Sequence, residues 1–397
     1  MNDTAAGTIG VRGRPLEGVR VLDFTNMLSG PYCTRILADH GAEVIKIEPL
    51  HGDHNRTRRP VRNGHSSFFG HLNCGKKSVV LDLKSKAGIA AAIALAEKSD
   101  VVVENWRAGV ADRLGVGYEA LNRLNPRLVY CSISGFGQVG PDAKRPAYAP
   151  IIHAASGFDL AQMEYQAGER PGNTATYIAD VFGGMSAYAA IQTALFQRTR
   201  TGRGQYLDVA LLDGMLNILV AEVQEAQSPT DEKTRVYPPL ATRDGFVVVA
   251  PTSTKNFEQA AKVVGRPEWL ADPRFSTTRG REKNWGELMD LIEAWTRERP
   301  GAEVEALFLA EGVPCTRYRT VAETMAHPQT RARGVFSTVK DPVGEYEVPN
   351  APFRMPGVDT SALPHVPALG ESNAAVLGGL LGYSPEQVKA CSGDHAA

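Results

Sequence analysis

A chain of 397 residues, 43% hydrophobic and 22% charged, is too long for one ordinary core and reads as a globular protein of two domains. Its formal net charge of −1 leaves no global field to draw nucleic acid or an anionic membrane surface, and no apolar run reaches the ~18 residues of a membrane span. Five scattered cysteines (Cys33, Cys74, Cys131, Cys315, Cys391) without C-x-x-C spacing point to a reducing, cytoplasmic setting.

Residues 1–14 are polar and lack an apolar core, so they read as neither signal peptide nor anchor. Residues 19–24 form a short apolar strand, 32–40 a helix stopped by Gly41, and 44–47 a second strand. The pattern repeats with strands at 78–81, 101–103 and 128–133 and helices at 87–98 and 118–124. This alternation predicts an α/β, Rossmann-like large domain with a parallel sheet, whose ligands belong at the carboxyl ends of the strands.

Those ends carry the polar residues. Asn26, Leu28 and Ser29 follow the first strand, Asn105-Trp106-Arg107 and Arg113 follow the 101–103 strand, and Arg145 and Tyr148 lie beyond the 128–133 strand. A basic loop holds Arg56, Arg58, Arg59 and Arg62, while Lys76, Lys77 and Lys84 flank the 78–81 strand. Each alone reads as a solvated charge, but gathered on one rim they suggest a phosphate-rich anion. Gly135-Phe136-Gly137-Gln138-Val139-Gly140 is a literal G-x-G-x-x-G, yet Pro141 and Pro146 follow where a dinucleotide site needs a helix. His51, His54, His65 and His71 lack the matching acids or cysteines of a metal site, and His153 reads as a packed helix residue.

Residues 174–213 hold one acid, Asp180, near the start of a long helix of small residues. Gly183, Gly184 and Ala187 share its face, which leaves room for another molecule or for a close helix partner. Taken alone, Asp180 reads first as a first-turn acid that complements the helix dipole. The helix ends in the basic turn Thr201-Gly202-Arg203-Gly204-Gln205, and a strand at 206–210 leads into a further helix. Residues 227–235 turn polar and predict a crossing into a smaller α+β domain at 236–330, with a strand at 245–250 and helices at 257–264, 285–297 and 302–309. Residues 335–397 return to complete the large domain of 12–225, through an apolar helix at 374–380.

The A-D-x-x-G-G segment at Asp180, the T-G-x-G-Q turn, the G-F-G-x-x-G-P loop at Gly135 and the A-P-x and L-G-E pair near Ala351 and Glu371 resemble the family III CoA transferases. The resemblance runs from Leu16 to about Leu377. It implies transfer of CoA between an acyl-CoA and a carboxylic acid, with coenzyme A as cosubstrate and no permanently bound cofactor or metal. By position it implies Asp180 as the nucleophile and Leu28, Ser29, Leu81, Lys84, Asn105, Trp106, Arg107, Arg113, Arg145 and Tyr148 as the CoA site. Gly135, Gly137, Gly183 and Gly184 would supply backbone around the reacting centre, with Glu371 a weaker candidate because Ser372 stands where many members have histidine.

It further implies a homodimer of interlocked rings. Leu28, Pro49 and the missing glycine-rich loop before residue 250 depart from the oxalate enzymes and argue against oxalate as acceptor. A short dicarboxylate or hydroxy acid, with succinyl-CoA as donor, is the expected pair. The rival α-methylacyl-CoA racemases resemble the same chain, but they need a histidine base where Ala147-Tyr148-Ala149 stands. A non-catalytic CoA-binding homologue is the third reading, and the intact Asp180, Gly183 and Gly184 argue against it.

Overall fold

The computed structural model describes residues 13–229 and 235–393. Residues 1–12 and Thr230 to Thr234, which carry much of the polar N-terminal stretch and of the expected crossing, lie outside the described residues. The chain divides into two compact units, one running to Gln227 and resuming at Gly334, the other spanning Ser228–Arg333.

The first unit is built on six parallel strands: β1 (Arg20–Asp23), β2 (Glu43–Glu48), β3 (Lys77–Val80), β4 (Val101–Glu104), β5 (Val129–Ser134) and β6 (Tyr206–Ala210). Their order is β3-β2-β1-β4-β5-β6, the doubly wound arrangement. Leu22 pairs with Ile45 on one side and Val102 on the other. Successive side chains point to opposite faces, so Val21, Val44 and Val103 enter one core and Leu22, Ile45 and Val102 the other. Burial at most strand positions, including those of Asp23, Lys46 and Glu104, follows from cover on both faces.

On the first face lie α1 (Ser29–Asp39), α3 (Ala149–Ala155), α4 (Ile178–Thr201) and α5 (Leu211–Ile218). The second face is covered by α2 (Lys86–Glu97) and by Val376, Leu377, Val388 and Cys391 of the returning C-terminal segment. Helix α1 starts three residues before the predicted position. Pro31 in its first turn breaks no hydrogen bond there, because first-turn N–H groups have no helical acceptor. Within the returning segment, residues 335–352 include an antiparallel hairpin, Phe336–Asp341 with Gly344–Pro349, that packs Val339 and Val348 on Phe69 and Val366.

In the second unit, Cys315–Arg317, Gly245–Val249 and Leu240–Thr242 form an antiparallel three-stranded sheet. Helices Thr254–Val264, Trp285–Thr296 and Gly301–Ala310 pack on it through Phe257, Leu288, Ile292 and Phe308.

Candidate active site

The chain leaves β1 toward β2 on one side and later resumes at β4 on the other, so a crevice forms between the loops that follow β1 and β4. A cavity of about 600 Å³ occupies that place. Asn26, Met27 and Ser29 line it from the first loop, Asn105, Trp106, Arg107 and Arg113 from the second, and Ser134 and Gly135 from the end of β5. Lys144, Tyr148 and Asp180 complete the wall. A smaller cleft of about 360 Å³, lined by Leu81, Lys84, Pro49 and His51, shares Asn26, His54 and Trp106 with the first.

The floor is held by buried charge. Asp23, at the end of β1, pairs with Lys76 at 3.0 Å and accepts from the hydroxyls of Thr25 and Thr34. Burial alone would raise its pKa, but Lys76, Lys46 and the two hydroxyls hold it at about 2. Lys46 donates to the Thr25 carbonyl at 2.8 Å and pairs with Asp53 at 2.9 Å, which ties the loop after β1 to the loop after β2. Met27 takes a positive φ of 64° beside the cavity, and its carbonyl accepts from the Asn55 side chain.

Asn105 joins the loops across the crevice. Its Oδ1 accepts from the Asn26 N–H at 2.9 Å and its Nδ2 donates to the Asn26 carbonyl at 2.7 Å. Its side chain therefore shapes the cavity, and its polar atoms are already engaged. Glu104 was not anticipated: buried at the end of β4, it accepts from the Trp106 N–H at 2.8 Å. Burial pushes its pKa up to about 7 against the hydrogen bonds from Ser132 and Trp106.

Asp180 stands in the first turn of α4. Among the described residues its carboxylate takes no hydrogen bond or ion pair. The capping work is done elsewhere. The Ala179 N–H donates to Nε2 of His153 at 3.1 Å, and the Ile178 and Val181 N–H groups bond to Thr176 and Tyr177 carbonyls. His153 is thus packed, as expected, and is also an acceptor, which requires its neutral form. Burial raises the Asp180 pKa to about 6, against the opposing charge of Arg58. The Asp180 carboxylate is thus half-buried, spared from capping and part of the cavity wall.

Of the residues expected at the site, Ser29, Asn105, Trp106, Arg107, Arg113, Tyr148, Gly135 and Asp180 meet at the larger cavity, and Leu81 and Lys84 at the smaller. Others do not join them. Leu28 is buried at the start of α1. Arg145 pairs with Asp142 at 3.3 Å, and its loop neighbour Lys144 lines the cavity instead. Gly137 has φ +85° beside Asp208, whose carboxylate accepts from the Gln138 N–H. Gly183 and Gly184 serve close packing: an added Cβ would lie 2.2 Å from Leu211 or 2.6 Å from the Ser29 carbonyl. Glu371 pairs with His365 at 2.9 Å and lines neither cleft.

The basic rim also divides. Arg56 pairs with Glu48, Arg62 with Asp341 and Lys77 with Glu43, so these cations are structural. Among the described residues Arg107, Arg113 and Lys144 make no ion pair and remain available to an anion. No cluster of three or more metal-ligating side chains occurs among the described residues, and none of their helices is long and apolar enough to cross a membrane.

CoA-transferase family III matches residues 16–373. The chain is 36% identical to the acetyl-CoA:oxalate CoA-transferase of Acetobacter aceti, over 91% of this chain and 95% of that protein. It is 33% identical to the succinyl-CoA:glutarate CoA-transferase of Mus musculus, over 96% and 90% respectively. A crystal structure of a CAIB/BAIF family protein from Brucella suis superposes with a TM-score of 0.81 at 32% identity, covering 93% of this chain and all of that one (100%).

Proposed function

The chain belongs to CoA-transferase family III, and from that premise we propose that its two clefts hold acyl-CoA with the thioester at Asp180. The observation that carries this reading is the unpaired Asp180 carboxylate at the wall of the larger cavity. Attack on the thioester carbonyl expels CoA thiolate and forms an acyl-aspartyl anhydride. The thiolate then attacks the aspartyl carbonyl, which releases the first acid and leaves an enzyme-CoA thioester. An incoming carboxylate attacks that thioester, and the thiolate takes the new acyl carbonyl, regenerating Asp180. Covalent catalysis of this kind preserves the thioester energy that hydrolysis would discard. Arg107, Arg113, Lys144 and Lys84 supply charge for the phosphates of CoA.

Relatives named for succinyl-CoA with glutarate or D-citramalate support a short dicarboxylate or hydroxy-acid acceptor, with succinyl-CoA as donor. The acting form is a cytoplasmic homodimer of interlocked subunits. Its support is an apolar surface on neighbouring helices, where Ile151, Leu160, Leu216 and Val220 are exposed, Val220 by 70%. Five free, buried cysteines fit a reducing compartment.

Exchange of labelled CoA between acyl-CoA and free acid tests the reading. Exchange supports transfer, exchange of the α-proton alone identifies a racemase, and neither identifies a binding protein.

A further inference from the structure

Arg58 differs from several basic residues of the same rim. Arg56, Arg62, Lys76 and Lys77 each face a carboxylate, whereas among the described residues Arg58 makes no ion pair. It is nevertheless held in place. The Ser66 hydroxyl donates to its carbonyl at 2.6 Å. Its guanidinium lies 4.5 Å from the Phe68 ring centroid and 5.1 Å from that of Tyr177, and donates to the Tyr177 hydroxyl at 2.8 Å. A guanidinium carries five N–H donors in a rigid fork that suits a carboxylate.

The anchoring residue fixes where that fork stands. Tyr177 immediately precedes α4 and is three positions before Asp180, so the two share one side of the helix start. Arg58 does not line the cavity assigned to acyl-CoA, yet its charge acts on the Asp180 carboxylate. It is therefore a preorganised cation beside the reacting centre and outside the CoA wall. Aromatic contacts limit its motion, so little side-chain freedom remains to be lost on binding.

We infer that Arg58 binds the far carboxylate of a dicarboxylic acid whose near carboxylate reacts at Asp180, and so selects dicarboxylates over monocarboxylates. The inference rests on the transferase reading above and adds the residue that sets its substrate class. Because the donor acid leaves and the acceptor acid enters at the same Asp180, both halves of the exchange use Arg58 in turn. The competing role, in which Arg58 only favours the ionised form of Asp180, affects every acid alike.

The test uses full-length enzyme with succinyl-CoA as donor and either glutarate or valerate, two five-carbon acids, as acceptor. Donor effects are common to both, so the ratio of their kcat/KM values isolates the far carboxylate. Wild type should prefer glutarate, and Arg58→Gln should lower the ratio by about 10- to 100-fold through KM for glutarate, with Arg58→Lys intermediate. Melting curves of each variant check folding. An unchanged ratio in Arg58→Gln overturns the inference while leaving the transferase reading intact, as does a wild type indifferent to the two acids. Failure of wild type to exchange with any carboxylic acid removes both.

Discussion

In the proposed mechanism Asp180 combines two demands that pull apart. Its folded pKa of about 6 lies above the ordinary carboxylate value, so the ionised form needed for attack is the form that burial disfavours. kcat/KM should therefore fall as pH drops through about 6, measurable as a limb of the pH–rate profile that is absent for steps independent of Asp180. The sign for stability is the reverse. A carboxyl with a raised folded pKa contributes stability below its unfolded pKa, and that contribution is lost as pH rises through about 6. Asp180→Asn should thus match wild type near pH 4 and exceed it by about 1 kcal/mol at pH 8, after discounting for partial exposure. Denaturant titration of both proteins at the two pH values checks this. Lower stability of the Asn variant at pH 8 would mean that Asp180 serves the helix after all.

At the scale of elements, the start of α4 is fixed by α3 and by α1. His153 on α3 accepts the Ala179 N–H, and burial holds its pKa below the usual histidine value despite Asp159. A histidine kept neutral by the fold gives stability that is full above its unfolded pKa of about 6.5 and declines as pH falls below it. His153→Leu should cost about 1–3 kcal/mol by leaving that N–H unsatisfied, and should flatten this part of the stability–pH curve. Where α4 crosses α1, Gly184→Ala would press a methyl within 2.6 Å of the Ser29 carbonyl. Backbone cannot move aside cheaply, so we expect a loss of about 1–3 kcal/mol and weaker CoA binding through the displaced Ser29. Gly286→Ala, where nothing lies within 4 Å, is the control and should be neutral or stabilising by at most about 1 kcal/mol. Thermal melts of the three variants read both effects.

For the whole molecule, the exposed apolar helices and the proposed interlocked dimer predict a species that stays dimeric on dilution. Mass photometry at nanomolar concentration should give about twice the 42.8 kDa of one chain, and a monomer peak would contradict the assembly. The parallel sheet was legible because apolar runs recur between helices at the spacing of βαβ units. Asp180 was legible as a lone acid heading a small-residue helix. The division of the basic rim was not, because its partners are remote: Arg62 meets Asp341 across 279 positions. Nor does spacing tell which of Lys144 and Arg145 turns inward, since one loop residue decides the direction of its neighbour. Gly183 and Gly184 left two outcomes open, a ligand or a close helix, and packing against Leu211 and Ser29 gives the second.

The central claim is that Asp180 becomes covalently acylated. The direct measurement incubates wild type with succinyl-CoA, quenches with hydroxylamine or borohydride, and maps the modified peptide by mass spectrometry. The label should fall on the peptide containing Ile178-Ala179-Asp180-Val181 and vanish in Asp180→Asn, whose transfer rate should be lower by several orders of magnitude at matched folding. An Asp180→Asn enzyme that turns over at the wild-type rate without label would contradict the account.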